Sequence, residues 1–494
     1  MNKKHAALLL NPLSLIGIPL AVFGLFAGIV LITLDQQHTS SNPYFGVLAY
    51  FIVPVILNIG LLLIAFGAWR QRRRNRKQAH QPAAFPVIDL NKRRQFTIFT
   101  VIASLTLVFG VLAIVGGYHT FHYTESTEFC GAVCHEVMKP EYVAFQHSPH
   151  ANVLCTDCHI GPGAGNYVKA KLNGLHQVHS VLTDSFARPI ETPLPHINPP
   201  EETCYNCHWP EKEIGDVAVS HTYFMSDKKN TPWTTSMLVH VGGGGGKNGP
   251  AHGIHWHAVS SNKVEYIATD PKRLEIPWVR VTDPNGNETV YHTNEKDAAL
   301  TKEAILAAQP REMTCTDCHN RPAHQFKAPA MAMDHAMARG QIDPGIPSIK
   351  AKGVAALIAE YATEAEALAG IQTALTEAYP DGAPTLARSI AAIQQIYQQN
   401  FFPEMKADWR AYPEHNGHMI SPGCIRCHDG NHVSDTGKTI RKDCNLCHTF
   451  IAQGPGSQLE NYSSGGLEYK HPEDIDEEWK SSKCNDCHEG TAGI

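Results

Sequence analysis

Phe129–Gly161 reads FCGAVCHEVMKPEYVAFQHSPHANVLCTDCHIG. Within it, Cys155-Thr-Asp-Cys158-His159 is Cys-x-x-Cys-His, the pattern that attaches a c-type haem. The spacing has a chemical reason. Each of the two thiols can form a thioether to one edge of the porphyrin, and the adjacent histidine then falls under the iron as an axial ligand. The same five-residue pattern recurs at Cys204/Cys207/His208, Cys315/Cys318/His319, Cys424/Cys427/His428, Cys444/Cys447/His448 and Cys484/Cys487/His488. Cys130/Cys134/His135 is one residue longer. These seven patterns use all 14 cysteines of the chain. A single Cys-x-x-Cys also fits a zinc knuckle or a disulfide, but six copies each followed by histidine point to haem. The stretched first pattern leaves two readings open, a seventh haem or a local disulfide between Cys130 and Cys134.

Outward from this stretch toward the N-terminus lie three apolar runs without a charged residue over most of their length, about Ala6–Leu34, Pro43–Trp69 and Phe96–Gly117. Each is long enough to cross a bilayer core, which takes about 20 helical residues. Phe129 follows the last run by 12 residues. Arg70, Arg72, Arg73, Arg74, Arg76, Lys77, Lys92, Arg93 and Arg94 crowd the loop between the second and third runs, and Lys3 and Lys4 precede the first. Positive loops stay cytoplasmic, so three spans would put everything after about Tyr118 in the periplasm of a bacterial inner membrane. Haem attachment there agrees. The basic loop reads as a topology anchor rather than a nucleic-acid site. No histidine lies within the three runs, so a haem held inside the bilayer is not expected.

Beyond residue 117 the chain holds 30 basic and 45 acidic residues, a balance of −15. That excludes nucleic acid and anionic surfaces as partners and suits a basic protein. The expected fold is mainly α-helical and irregular, a multihaem cytochrome with three N-terminal transmembrane helices and a small β-containing insert in the periplasmic part. The order reads as a membrane anchor at 1–117, a haem domain at 118–210, a β-rich insert at 211–310, a fourth haem segment at 311–330, a helical spacer at 331–410 and a three-haem module at 411–494. Within the insert, KVEYIATD, IPWVRVTD and ETVYHT alternate like strands, and Asp283-Pro-Asn-Gly286 is a turn between two of them. Residues 349–399 read as two helices broken at Pro380-Asp-Gly-Ala-Pro384.

FCGAVCHEVM at Phe129–Met138, Ser148-x-His150, the second motif, Lys171 twelve residues after His159, and CTDCHNRPAH at Cys315–His324 together resemble the NapC/NirT family of membrane-anchored quinol dehydrogenases. The resemblance covers Phe129–Thr183 and about Glu201–Pro329. It implies that His150 is the distal ligand of the third haem and His324 that of the second. It also implies that Lys171 lies beside the quinol pocket at the first haem. Two features depart from the family. Met138 stands three residues after His135 on the stretched motif, so either could ligate the first iron. The usual acidic residue near 177–179 is missing, and His179 or His176 could take its place. For the fourth haem His221 is the distal candidate, with His252, His255 and His257 as a competing cluster that could instead bind a metal. His415, His418, His432 and His471 are the candidates for the last three.

The function expected from these residues is a quinol dehydrogenase. It would take electrons from menaquinol and pass them through seven haems to basic periplasmic c-type cytochromes, in anaerobic respiration on extracellular or metal acceptors. Two other classes compete. A terminal reductase would need a haem with an open axial position, against which 22 histidines outside the motifs argue. A storage or docking subunit would lack a quinol site.

Overall fold

The computed structural model describes residues 11–36, 53–78, 89–133, 135–161, 164–194, 197–209, 212–244, 250–258, 262–296, 298–456, 458–460, 462–463 and 465–491. The chain divides into two compact units, 1–135 and 136–494.

The first unit is helical. Asn11 caps helix α1 (Pro12–Gln36), its Oδ1 accepting from the Ser14 N–H at 3.0 Å, with proline at the first helical position. Helix α2 (Val53–Gln78) packs against α1 along a seam of small residues. A Cβ at Gly17 would come within 2.6 Å of the Gly60 carbonyl, and one at Gly24 within 2.8 Å of the Leu57 nitrogen. Such contact between backbones is how helices associate where lipid leaves no hydrophobic drive between them. Leu15, Val22, Phe23 and Phe26 remain exposed on α1. Among the described residues, two helices are long and apolar enough to cross a membrane, over Pro12–Ile29 and Val53–Arg74. That is two rather than the three expected. The third apolar run forms the middle of a longer helix, α3 (Arg93–Glu125), whose charged start and polar end at His119, His122 and Glu125 extend past the run on both sides.

The second unit has a helical core and two antiparallel sheets. Helices α4 (Pro329–Ala338), α5 (Ile349–Ile358), α6 (Glu364–Ala378) and α7 (Leu386–Asn400) surround Met333, Ile349, Leu357, Ile371 and Ile393, all 1 % exposed or less. Their apolar positions recur at three and four residues, as in Ile390, Ile393, Ile396 and Tyr397, so one face of each is buried. The stretch expected as two helices is three. Thr363 accepts from the Glu366 N–H and starts α6, while Tyr361 folds back to donate to the Ala356 carbonyl.

Strands β1 (Val217–Phe224) and β2 (Pro232–Val239) form a hairpin. Strands β3 (Lys263–Ile267), β4 (Trp278–Thr282) and β5 (Glu288–Thr293) form a meander, with β6 (Arg311–Glu312) beside β3. Asp283 organises the β4–β5 turn, accepting from the Asn285 and Asn287 N–H groups, and Gly286 takes the left-handed φ of 83° that the turn needs. Both sheets are completed from far along the chain. Strand β7 (His432–Ser434) pairs with β5, and β8 (His448–Pro455) pairs with β2. The insert is therefore joined to the C-terminal module by backbone hydrogen bonds.

Candidate haem sites

Six of the seven attachment motifs form a single helical turn. In four of them the histidine N–H donates to the first cysteine's carbonyl, at 2.8 Å for His208 and His319, 3.2 Å for His428 and 2.9 Å for His488. A turn of that pitch brings residues three and four apart onto one face. In three motifs an aspartate sits between the cysteines and closes the turn. Asp157, Asp317 and Asp486 accept from the backbone N–H of Leu154, Thr314 and Lys483. Cys158, Cys207, Cys444 and Cys487 are exposed, and so are the rings of His159, His208 and His319. These turns present thiols and imidazoles outward, as attachment of a flat ligand requires. Cys134 and the side chain of His135 lie outside the described residues, and with them the choice between a seventh haem and a disulfide. Met138 is half-buried within the helix His135–Gln146.

Each of the six described motif histidines faces a second histidine. Ring centroids lie 6.1 Å apart for His159 and His324, 6.0 Å for His208 and His150, and 6.5 Å for His319 and His255. They lie 5.8 Å apart for His428 and His257, 6.1 Å for His448 and His418, and 6.0 Å for His488 and His471. Imidazole nitrogens bind metals at about 2 Å, so two rings on opposite sides of one ion have centroids about 6 Å apart. The pairs fit a haem iron between them. Among the described residues no three His, Cys, Asp or Glu side chains converge as a metal cage, so the residues 252, 255 and 257 do not form a joint metal site.

In five of these histidines Nδ1 is held by a backbone carbonyl. His150 Nδ1 faces the Pro322 carbonyl at 3.3 Å, and His324 Nδ1 that of Glu141 at 2.9 Å. His257 and His428 direct Nδ1 to the carbonyls of Ile254 and Arg441 at 2.8 and 2.7 Å, and His471 Nδ1 lies 2.9 Å from the Glu473 carbonyl and 3.2 Å from the Glu473 N–H. A proton fixed on Nδ1 leaves Nε2 as the ligand atom and sets the ring's orientation. Burial pushes His257, His324, His418 and His428 below the ordinary histidine value, and pushes His448 down to about 4. All are thereby held neutral, the form that binds a metal. Glu141 also clamps the neighbourhood of His324, its carboxylate taking Arg321 at 2.9 and 3.1 Å while Arg321 lies 4.0 Å over the Tyr412 ring.

Four of the candidate ligands are placed elsewhere. His221 lies on β1 opposite Thr235, and the fourth motif faces His255 instead. Buried His415 has Nδ1 at 3.1 Å from the Asp317 carbonyl and Nε2 at 2.9 Å from that of Lys272. Buried His432 has Nδ1 on the Asp429 carboxylate at 2.9 Å and Nε2 on the Ile276 carbonyl at 2.6 Å. In both, neither nitrogen is left for iron. His179, like His176, is exposed on the helix Ala164–Leu182, which also carries half-buried Lys171. The sequence reading offered His255 and His257 only within a competing cluster for the fourth haem, and did not connect His257 with the fifth motif. The signal was the His-x-His of Ile254–His257, in an insert for which the family pattern offers no counterpart.

Paired histidines over repeated attachment turns, with apolar helices at the N-terminus, describe a membrane-anchored multihaem c-type cytochrome. The chain belongs to the NapC/NirT cytochrome c family, whose N-terminal region matches residues 92–191. It is 44 % identical over 506 aligned residues to the cytochrome c-type protein ImcH of Geobacter sulfurreducens, covering 99 % of this chain and 97 % of that one. The cytochrome c-type protein TorC of Escherichia coli K12 is 32 % identical over 109 residues, 20 % of this chain and 27 % of TorC. No solved structure matches.

Proposed function

We propose that the protein oxidises menaquinol at the outer face of the inner membrane and passes the electrons through seven haems to basic periplasmic c-type cytochromes. The observation that carries this reading is the set of six opposed histidine pairs, which suits haems that relay electrons and leaves no open position at those six sites for a small oxidant. A haem iron accepts and gives up one electron at a time. Quinol releases two electrons and two protons, so the site needs a group that manages protons beside an acceptor.

We assign that role to Lys171 on the strength of the family resemblance. Its ammonium would orient a quinol oxygen by hydrogen bonding and favour loss of the quinol proton toward the periplasm. His179 or His176, on the same helix, would assist. His135 or Met138 would ligate the first iron. With α3 (Arg93–Glu125) crossing as a third span beside the two apolar helices and the basic loop inside, the haem part would lie on the periplasmic side, where quinol would meet it. The six histidine pairs would hold six of the irons, and in five of those rings a backbone carbonyl at Nδ1 keeps the imidazole from turning.

Intact mass of the purified protein should exceed that of the polypeptide by seven haems, and a menaquinol analogue should reduce it. A gain of six haems would assign Cys130 and Cys134 to a disulfide. Full haem content without reduction by quinol would make the protein a carrier that is loaded by another enzyme.

A further inference from the structure

The partners of the fourth and fifth motif histidines come from one short turn. The insert turns sharply at Gly253, whose φ is 67°, into a 3-10 turn at Ile254–His257. No side chain fits at Gly253, because a Cβ there would lie 2.6 Å from the His240 carbonyl. The turn hangs from the end of β2. Ile254 and His255 donate their N–H groups to the carbonyls of His240 and Val241, at 2.9 and 3.0 Å. Trp256 packs into the small core of Val264, Tyr266, Ile276 and Val279, which also takes in Cys427. Anchored in this way, the turn holds out His255 on one side of Trp256 and His257 on the other.

The two attachment turns that these histidines face are themselves interlocked. Arg426, the residue before Cys427, donates to the backbone carbonyl of Asp317, the residue before Cys318, at 3.0 Å. Asp317 is 1 % exposed and receives Tyr266, Arg273 and Arg311 at 2.7, 3.0 and 2.7 Å. His415 closes the same knot from the Asp317 carbonyl to that of Lys272.

The junction between the family-like group and the C-terminal group therefore lies between the fourth and fifth motifs, where the residues before Cys318 and Cys427 are hydrogen-bonded to each other and Cys427 shares the small core that holds Trp256.

We infer that His255 and His257 are the distal ligands of two successive haems, the fourth and the fifth, so that one turn of the insert joins the two haem groups. The inference rests on the multihaem reading above. With both distal ligands on one rigid turn and both attachment turns tied through Asp317 and Arg426, the separation between these two irons is fixed from both sides. The long insert has a purpose in this arrangement: it supplies the second ligand where two haem modules meet.

The test replaces His255 and His257 with alanine in the full-length membrane protein and counts spin states by electron paramagnetic resonance alongside intact mass. Each single variant should convert one low-spin haem per chain to high-spin, and the double variant two, with the haem mass unchanged. His221→Ala should convert none. An unchanged low-spin count in either single variant, or conversion by His221→Ala, overturns the assignment. If an alanine variant loses haem or folds poorly, His255→Met and His257→Met carry the test. Each should keep the full haem mass and move one haem to a histidine–methionine spectrum at higher potential, and an unchanged spectrum overturns the assignment. A wild-type protein with fewer than six low-spin haems would instead defeat the multihaem reading itself.

Discussion

His418 lies six residues before Cys424 and His432 four after His428, and in the sequence they look equivalent. The structure separates them by what their nitrogens touch. His432 is consumed by a carboxylate and a carbonyl, whereas His418 faces His448 across a gap and, among the described residues, has no hydrogen-bond partner for its Nδ1. Sequence distance to a motif carries no information about this, because the partners of a buried imidazole come from other parts of the fold. His150 was named through the family resemblance, and its Ser-x-His makes a local turn in which Ser148 Oγ accepts the His150 N–H at 3.1 Å, which fixes the backbone while the ring is held by the distant Pro322 carbonyl. At this scale the quinol assignment is also tested. Lys171→Gln should slow reduction by a menaquinol analogue by about a hundredfold, the low end for loss of a general acid–base group. Haem content and reduction by dithionite should stay normal. A wild-type rate would move the site to His119 and His122.

The meander β3–β5 was legible because each strand alternates and its turns are local. The hairpin β1–β2 was missed, although VAVSHTYF alternates too, because its strands carry small hydroxyl residues paired only with each other. Ser220 meets Ser236 at 2.9 Å and Thr222 meets Thr234 at 2.9 Å. Nothing in the insert announces that its sheets are finished by residues 432–434 and 448–455. Within the meander, Glu265 on β3 bridges to Arg280 on β4, with 2.8 Å to Nε and 2.7 Å to a terminal nitrogen. Burial pushes this carboxyl up, but the hydrogen bonds from Arg280 and Lys263 outweigh it and hold the group below its ordinary value of 4.5. A depressed carboxylate contributes stability above its unfolded pKa and loses it as pH falls through the folded one. Glu265→Gln should therefore cost about 1.5–3 kcal/mol at neutral pH. In thermal melts of the whole protein the difference from wild type should shrink as pH drops below 4.5. A difference that is the same at pH 7 and in acid would count against the charge.

Across the whole molecule the sign of the charge is split, with basic residues gathered by the membrane helices and a balance of −15 beyond residue 117. Surface charge steers encounter more than it tightens binding. Electron transfer from the reduced protein to a lysine-rich soluble c-type cytochrome should slow several-fold as ionic strength rises past the point where the Debye length falls to about 3 Å, near 1 M. Transfer indifferent to salt would rule out electrostatic docking. The pairing of β2 with β8 bears on how such a molecule can be made at all. The register sets Val239 against His448, a motif histidine, and the Cys447 carbonyl receives the His240 N–H at 2.8 Å. Thioether formation needs Cys444 and Cys447 within reach of the attachment machinery, and the closed strand fixes the backbone at that very place. Before β8 closes, the backbone there is still free to bring both thiols to a haem. Some 200 residues separate the two strands, and until the later one arrives the edge of β2 stands bare. A bare strand edge is a template for joining other chains. Starvation for haem should thus appear first as aggregation of the unfinished chain, with the loss of colour following from it.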